Sequence, residues 1–165
     1  MKPLASAKVA GAIASALISS SAFATSVFIN EFHYDNDGGD VDEFIEIVAP
    51  EGTDLTDYSV VLYNGNNGAA YLTETLSGTV ASLGDGMGSY VINLPTNGIQ
   101  NGAPDGLALV DSNGQLIQFL SYEGSFTAVG GAADGITSVD IGIEETASTE
   151  IGMSLQLTGE GSEYD

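Results

Sequence analysis

The sequence predicts an all-β protein, an antiparallel sandwich or barrel, on three observations. Short segments rich in β-branched and aromatic residues alternate apolar and polar positions, as strands do. Residues that favour turns, such as Asn, Gly, Asp and Pro, separate these segments. No segment shows a sustained apolar stripe of helical period with capping residues at its ends. Short strands with frequent turns are typical of sandwiches and barrels.

Eight segments are predicted as strands, and they follow one another along most of the chain. They span residues 27–34, 43–48, 58–63, 71–76, 89–94, 107–110, 115–120 and 154–157. Asn113-Gly114 between two apolar runs is a strong hairpin signal, because these residues tolerate the positive φ of a tight turn. A long loop rich in Gly and Ala is expected from Glu123 to about Thr137.

The first residues predict export from the cell. Lys2 and Lys8 precede an apolar run at 9–18, and residues 21–24 place small side chains before a cleavage point after Ala24. This predicts a Sec-type signal peptide at 1–24 and one domain at 25–165. The alternative is a membrane anchor, but the apolar run is shorter than the roughly 20 residues that span a bilayer. The processed chain is therefore expected to be extracellular, periplasmic or at the cell surface, with no membrane span.

The charge of the processed chain limits its partners. The formal net charge of −21 becomes −23 when the signal peptide is removed, because Lys2 and Lys8 are the chain's only Lys or Arg residues and all 23 acidic residues remain. Proteins that grip nucleic acid neutralise phosphates with Lys and Arg, so direct nucleic-acid binding is not expected. Screening by salt or bound cations would relieve the self-repulsion. Alternatively, the acidity only keeps the protein soluble.

A polar turn between the first two predicted strands is a candidate Ca²⁺ site. The candidate ligands are Asp35, Asp37, Asp40, Asp42 and Glu43. Ca²⁺ takes six to eight oxygen ligands, and carboxylates on a glycine-containing turn suit it. The spacing departs from an EF-hand, since Gly39 and Asp40 stand where Asp or Asn and then Gly are required. The alternative is a solvated connection between strands.

No catalytic residue is predicted. Glu31, Glu43 and Glu46 form carboxylate pairs, but such residues are expected on the wet face of a half-buried sheet. His33 is the sole histidine, no G-x-S-x-G motif occurs, and cysteine is absent, so neither a serine triad nor a His/Cys zinc site is expected. His33 is expected to pack or to hydrogen-bond. Most tyrosines are expected in the core or at sheet edges rather than on a binding face.

Five blocks of sequence, in order, carry a family resemblance. They are INEFHYDN at 29–36, EFIEI at 43–47, GTDLTDYSVVLYNG at 52–65, GIQNGAPDGLALVD at 98–111 and QFLSYEG at 118–124. Together they resemble bacterial lamin-tail domains of the type found at the amino end of secreted nucleases of the endonuclease/exonuclease/phosphatase class. The resemblance extends from about Val27 to Tyr164.

The resemblance implies an immunoglobulin-like antiparallel sandwich with no catalytic residue of its own. It also implies that the domain is cut short at its carboxyl end, within residues 159–165. The expected function is that of an accessory module, whose partners are downstream domains of the same polypeptide or a surface partner. Two alternatives are a free-standing Ca²⁺-dependent adhesion or matrix-binding protein and a hydrolase that uses a carboxylate pair.

Overall fold

The computed structural model describes residues 26–84 and 86–158. The predicted signal peptide, residues 1–24, and the predicted break in the domain, within 159–165, lie outside the described residues. Over the described ranges the chain forms ten strands and no α-helix. Those residues accordingly contain no helix long and apolar enough to cross a membrane.

The strands form two five-stranded sheets. One sheet has the order β10-β1-β2-β6-β5, built from β10 (Leu155–Gln156), β1 (Phe28–His33), β2 (Phe44–Pro50), β6 (Met87–Asn93) and β5 (Ala81–Gly84). The other has the order β4-β3-β7-β8-β9, built from β4 (Ala69–Thr75), β3 (Ser59–Asn64), β7 (Asp105–Val110), β8 (Leu116–Tyr122) and β9 (Val139–Asp140). Every neighbouring pair is antiparallel except β8 and β9. The predicted immunoglobulin-like β-sandwich is therefore confirmed.

The main core lies between the two sheets. In β2, burial alternates with a period of two, so that Ile45, Ile47 and Ala49 face inward and are fully buried. Leu62, Leu107 and Leu109 meet them from the facing sheet as members of the same apolar cluster. Burial of this apolar area is the dominant favourable term in folding.

The Gly- and Ala-rich segment after β8 covers the outer face of the second sheet. Phe126, Ala128 and Ala133 are buried there against Tyr63 and Phe119 in a second apolar cluster. The rings of Phe119 and Phe126 meet edge to face at 5.3 Å. All six residues of β7 are consequently buried, because this strand is covered on both faces.

The predicted turn between β7 and β8 is confirmed in detail. Asp111 Oδ1 accepts the N–H groups of Asn113 and Gln115, each at 2.8 Å, and Gly114 adopts a φ of +78°. The short side chain of Asp111 thus replaces backbone partners within the turn, and Gly114 supplies the left-handed conformation that residues with a Cβ rarely adopt.

Candidate functional site

Buried polar side chains gather at one end of the sandwich. β1 ends at His33 where β2 begins, and the residues that follow β6 return to the same end. In the facing sheet, the end of β3 pairs with the start of β7 at that end too. Three segments meet there: the loop 34–43, the loop 94–104 and the segment 141–150.

Glu145 ties the last of these segments to the end of β1. Its Oε2 accepts the N–H groups of Tyr34 at 2.6 Å and Asp35 at 3.0 Å, and its Oε1 lies 2.9 Å from His33 Nδ1. Both His33 and Glu145 are 2 % exposed. A buried carboxylate is tolerated when its oxygens accept several hydrogen bonds, as they do here.

Both ring nitrogens of His33 are occupied. Asn36 Nδ2 lies 3.0 Å from His33 Nε2 and also donates to Val41 O, which fixes its amide as the donor. Nε2 is therefore the acceptor, and the ring proton lies on Nδ1, facing Glu145. The prediction that His33 packs and hydrogen-bonds is confirmed.

Glu43 anchors the loop that follows β6. Its carboxylate accepts the N–H groups of Gly98 at 2.5 Å and Ile99 at 3.1 Å, and the residue is 1 % exposed. The expectation that strand carboxylates lie on the wet face is wrong for Glu43. The reason is the two-residue period of β2, which puts Glu43 in phase with the buried residues Ile45 and Ile47.

In the facing sheet, Asp105 likewise holds neighbouring loops through its carboxylate. One carboxylate oxygen accepts the N–H of Gly65 at 2.8 Å, and the other accepts that of Gly102 at 2.9 Å. Burial raises the pKa of Asp105 and of Glu43, against the opposing effect of their backbone hydrogen bonds. Each carboxylate therefore holds a loop in place at an electrostatic cost.

These raised pKa values predict that stability falls as pH rises. A carboxyl group with a higher pKa in the folded state binds its proton more tightly there, so the contribution is complete below the ordinary carboxyl value of about 4. It is lost as pH rises from that value through the raised pKa of Glu43 and Asp105. Thermal unfolding in 0.5 M NaCl between pH 4 and pH 7 should show a falling midpoint.

Glu43→Gln should flatten that pH profile, because the amide does not titrate. Asp42→Asn is the matched control, since Asp42 is the preceding residue and is exposed. Equal slopes in both variants and the parent would show that general charge repulsion, rather than the buried groups, causes the pH dependence.

The structure brings together two of the five predicted Ca²⁺ ligands. Asp35 and Asp40 are each 7 % exposed, and the two carboxyl groups are close enough for Asp40 to raise the pKa of Asp35. Asp37 and Asp42 point to solvent, and Glu43 is directed to the loop after β6. Across residues 26–84 and 86–158, no group of three or more His, Cys, Asp or Glu side chains is arranged to hold a metal. Ca²⁺ binding itself stays a prediction.

A polar cleft of about 420 Å³ opens beside this pair. Its lining includes Asp40, Asn64, Asn66, Asn97, Gln100 and Asn101. Asn101 Nδ2 donates to Asp40 Oδ2 at 3.1 Å, and Asn64 Nδ2 donates to Gln100 Oε1 at 2.6 Å. Sequence reasoning missed this cleft, although its Asn, Gln, Gly and Pro residues in 97–104 indicate a polar loop.

The tyrosines of the described residues pack in or against the apolar core, as predicted for most of them. Tyr34 and Tyr122 are buried and stack at 3.9 Å between ring centroids. The Tyr122 hydroxyl donates to the carbonyl of Gln100, and the Tyr71 hydroxyl accepts the N–H of the same residue. Burial raises the pKa of Tyr71 to about 12 and that of Tyr122 further, so both hydroxyls stay protonated. Through these two hydrogen bonds Tyr71 and Tyr122 hold Gln100, which lines the cleft.

Comparisons with protein-family models, with curated proteins and with solved structures find no match to this chain.

Proposed function

We propose that this chain is a non-catalytic accessory module of a secreted protein, of the lamin-tail type, standing at the amino end of an extracellular nuclease. The absence of catalysis in this proposal rests on one observation, which is that its buried titratable side chains hold loops in place. His33, Glu145, Glu43 and Asp105 are all engaged in hydrogen bonds that position loops. General acid–base catalysis needs such a group within reach of a substrate proton. These four groups are therefore already committed to the fold, and none of them is free to exchange a proton with a substrate.

The charge supports an accessory role in which another domain contacts the substrate. The sequence contains no Lys or Arg after Lys8, so the sandwich has no side chain of the kind that neutralises phosphate. The acidic residues make its surface repel a polyanion. Nucleic-acid contact and cleavage therefore belong to a downstream domain of the same polypeptide.

Exposed apolar side chains support a role in domain association. Among the described residues, most of the large ones lie in the last part of the chain: Val129, Ile136, Val139, Ile143, Ile151, Met153 and Leu157. Where such side chains adjoin one another, the exposed apolar patch is of the kind through which proteins associate. The partner in this proposal is the domain that follows, because this surface belongs to the segment nearest to it in the chain.

Two measurements test the proposed function. Sequencing the DNA after the codon for Asp165 should show a reading frame that continues into a metal-dependent catalytic region. The purified chain should cleave neither single- nor double-stranded DNA in 5 mM Mg²⁺, Mn²⁺ or Ca²⁺. Cleavage that survives repurification and is lost in Glu43→Gln would contradict the non-catalytic assignment.

The polar cleft favours a second candidate, a free-standing adhesion protein that depends on Ca²⁺. Amide side chains such as Asn66 and Asn97 line it and could hydrogen-bond a glycan. Binding of the purified chain to a glycan array, abolished by a chelator, would favour this candidate over the accessory module.

A further inference from the structure

The loop from Tyr34 to Glu43 carries an unsatisfied buried carboxylate. Asp35 Oδ1 is inaccessible to solvent and has no hydrogen-bond partner, although the residue is more than nine-tenths buried. A buried carboxylate oxygen without a partner costs free energy unless a proton or a cation satisfies it. The next residue, Asn36, has a buried side-chain oxygen in the same condition.

A second carboxylate faces the first. Asp40 lies beside Asp35, and its oxygens are only partly used: Oδ1 accepts the Asn36 N–H at 3.3 Å, and Oδ2 accepts Asn101 Nδ2 at 3.1 Å. Each carboxylate oxygen has two lone pairs, so both retain capacity for a further partner. Glu123 adds negative charge near Asp35.

Among residues 26–84 and 86–158, no Lys or Arg is present to compensate the charge of this pair. Lys and Arg do not occur in the sequence after Lys8, and the ring of His33 is directed to Glu145 and Asn36. Two like charges that face one another repel strongly where water is excluded. Burial and the proximity of Asp40 accordingly raise the pKa of Asp35.

We infer that Asp35 and Asp40 form a two-carboxylate site for a single Ca²⁺ ion at the edge of the polar cleft. This site is independent of the proposed accessory function. Rotation of the Asn101 amide by half a turn would replace its donor with an oxygen ligand. Backbone carbonyls and water complete the coordination of Ca²⁺ in many sites, so two carboxylates suffice for weak binding. A hard oxygen set of this kind favours Ca²⁺ over transition metals.

The site should bind in the range of extracellular Ca²⁺ modules, with a dissociation constant of about 0.1–1 mM. The test uses the purified chain, stripped of metal with a chelating resin, at pH 7.5 in 150 mM NaCl. Titration calorimetry with CaCl₂ should report one site. The thermal midpoint should rise by a few degrees in 10 mM CaCl₂, because a ligand of the native state stabilises it by mass action. NaCl of matched ionic strength should not reproduce that rise.

Four variants locate the ion. Asp35→Asn and Asp40→Asn should each weaken Ca²⁺ binding at least tenfold, whereas Asp37→Asn and Asp42→Asn, in the same loop but exposed, should change it less than twofold. Without Ca²⁺, Asp35→Asn should be no less stable than the parent, since it removes a like-charge repulsion. This comparison separates a lost ligand from a damaged fold.

Tb³⁺ luminescence excited through tyrosine gives a readout that does not depend on the variants folding equally well. Tyr34 precedes Asp35 directly, so bound Tb³⁺ should emit and excess Ca²⁺ should displace it. Absence of Ca²⁺ binding at 10 mM in the parent would overturn the inference in favour of a proton shared by the two carboxyls. So would equal weakening in all four variants, which would indicate diffuse screening.

Discussion

Glu145→Ala is expected to destabilise the protein by about 3–5 kcal/mol, because three buried donors lose their acceptor at a cost of roughly 1–3 kcal/mol each, partly offset by water. The donors are the N–H groups of Tyr34 and Asp35 and the Nδ1 proton of His33. Urea unfolding followed by tyrosine fluorescence measures the change in the free energy of unfolding. The slope of that free energy against urea should stay constant if the native fold is preserved.

Glu144→Ala is the matched control, since Glu144 is the preceding residue and is exposed. It should change the free energy of unfolding by less than about 0.5 kcal/mol. Glu145→Gln should lie between the two, because the amide keeps one acceptor oxygen and places an N–H₂ group where the other accepted. A loss below about 1 kcal/mol for Glu145→Ala would show that water replaces the carboxylate and that this tether contributes little.

Glu43→Ala is expected to cost about 2–4 kcal/mol, since the N–H groups of Gly98 and Ile99 lose their acceptors in a site that excludes solvent. The effect should extend beyond stability, because the released loop forms one wall of the polar cleft. Amide hydrogen exchange of Gly98 and Ile99 should accelerate far more than that of the β7 residues. Urea unfolding gives the overall loss.

Glu46→Ala provides the comparison for Glu43. Glu46 lies in β2 three residues after Glu43 and on the opposite face, is only half-buried, and accepts a single hydrogen bond from Asn30 at 2.8 Å. We expect the free energy of unfolding of this variant to fall by less than about 1.5 kcal/mol, the largest usual net contribution of one hydrogen bond to stability. If both variants lost the same amount, the distinction between the inward-facing carboxylate of Glu43, just before β2, and the outward-facing one of Glu46 would be wrong.

Most strands were predictable because their residue types and the alternation of apolar and polar positions indicate a half-buried strand. β2, β3 and β8 follow runs of β-branched and aromatic residues that the sequence displays directly. The two strands that were not predicted lack that signal. In β5 all four residues are exposed, and β9 has only two residues, held by pairing with β8. Their strand conformation depends on a neighbouring edge and not on their own composition.

The candidate site was predictable only in part. The loop from Asp35 to Glu43 was recognised by its density of oxygen side chains, yet that density did not distinguish Asp35 and Asp40 from the exposed Asp37 and Asp42. Glu43 could have been separated from the others by its phase with Ile45 and Ile47. Glu145 offered no comparable signal, since its partners lie more than a hundred positions away in the sequence.

By itself the sequence determined the class of the protein: all-β, with a hairpin at Asn113-Gly114 and a charge that disfavours phosphate, because composition and local periodicity act over a few residues. Only the tertiary structure decided which acidic residues are buried, and the reason is physical. Asp40 is buried where Asn101 reaches it from the loop after β6, and Glu145 is buried where its segment returns to the end of β1. Contacts between segments that are distant in the sequence depend on how the whole sandwich packs. They therefore produce no pattern in the sequence around either residue.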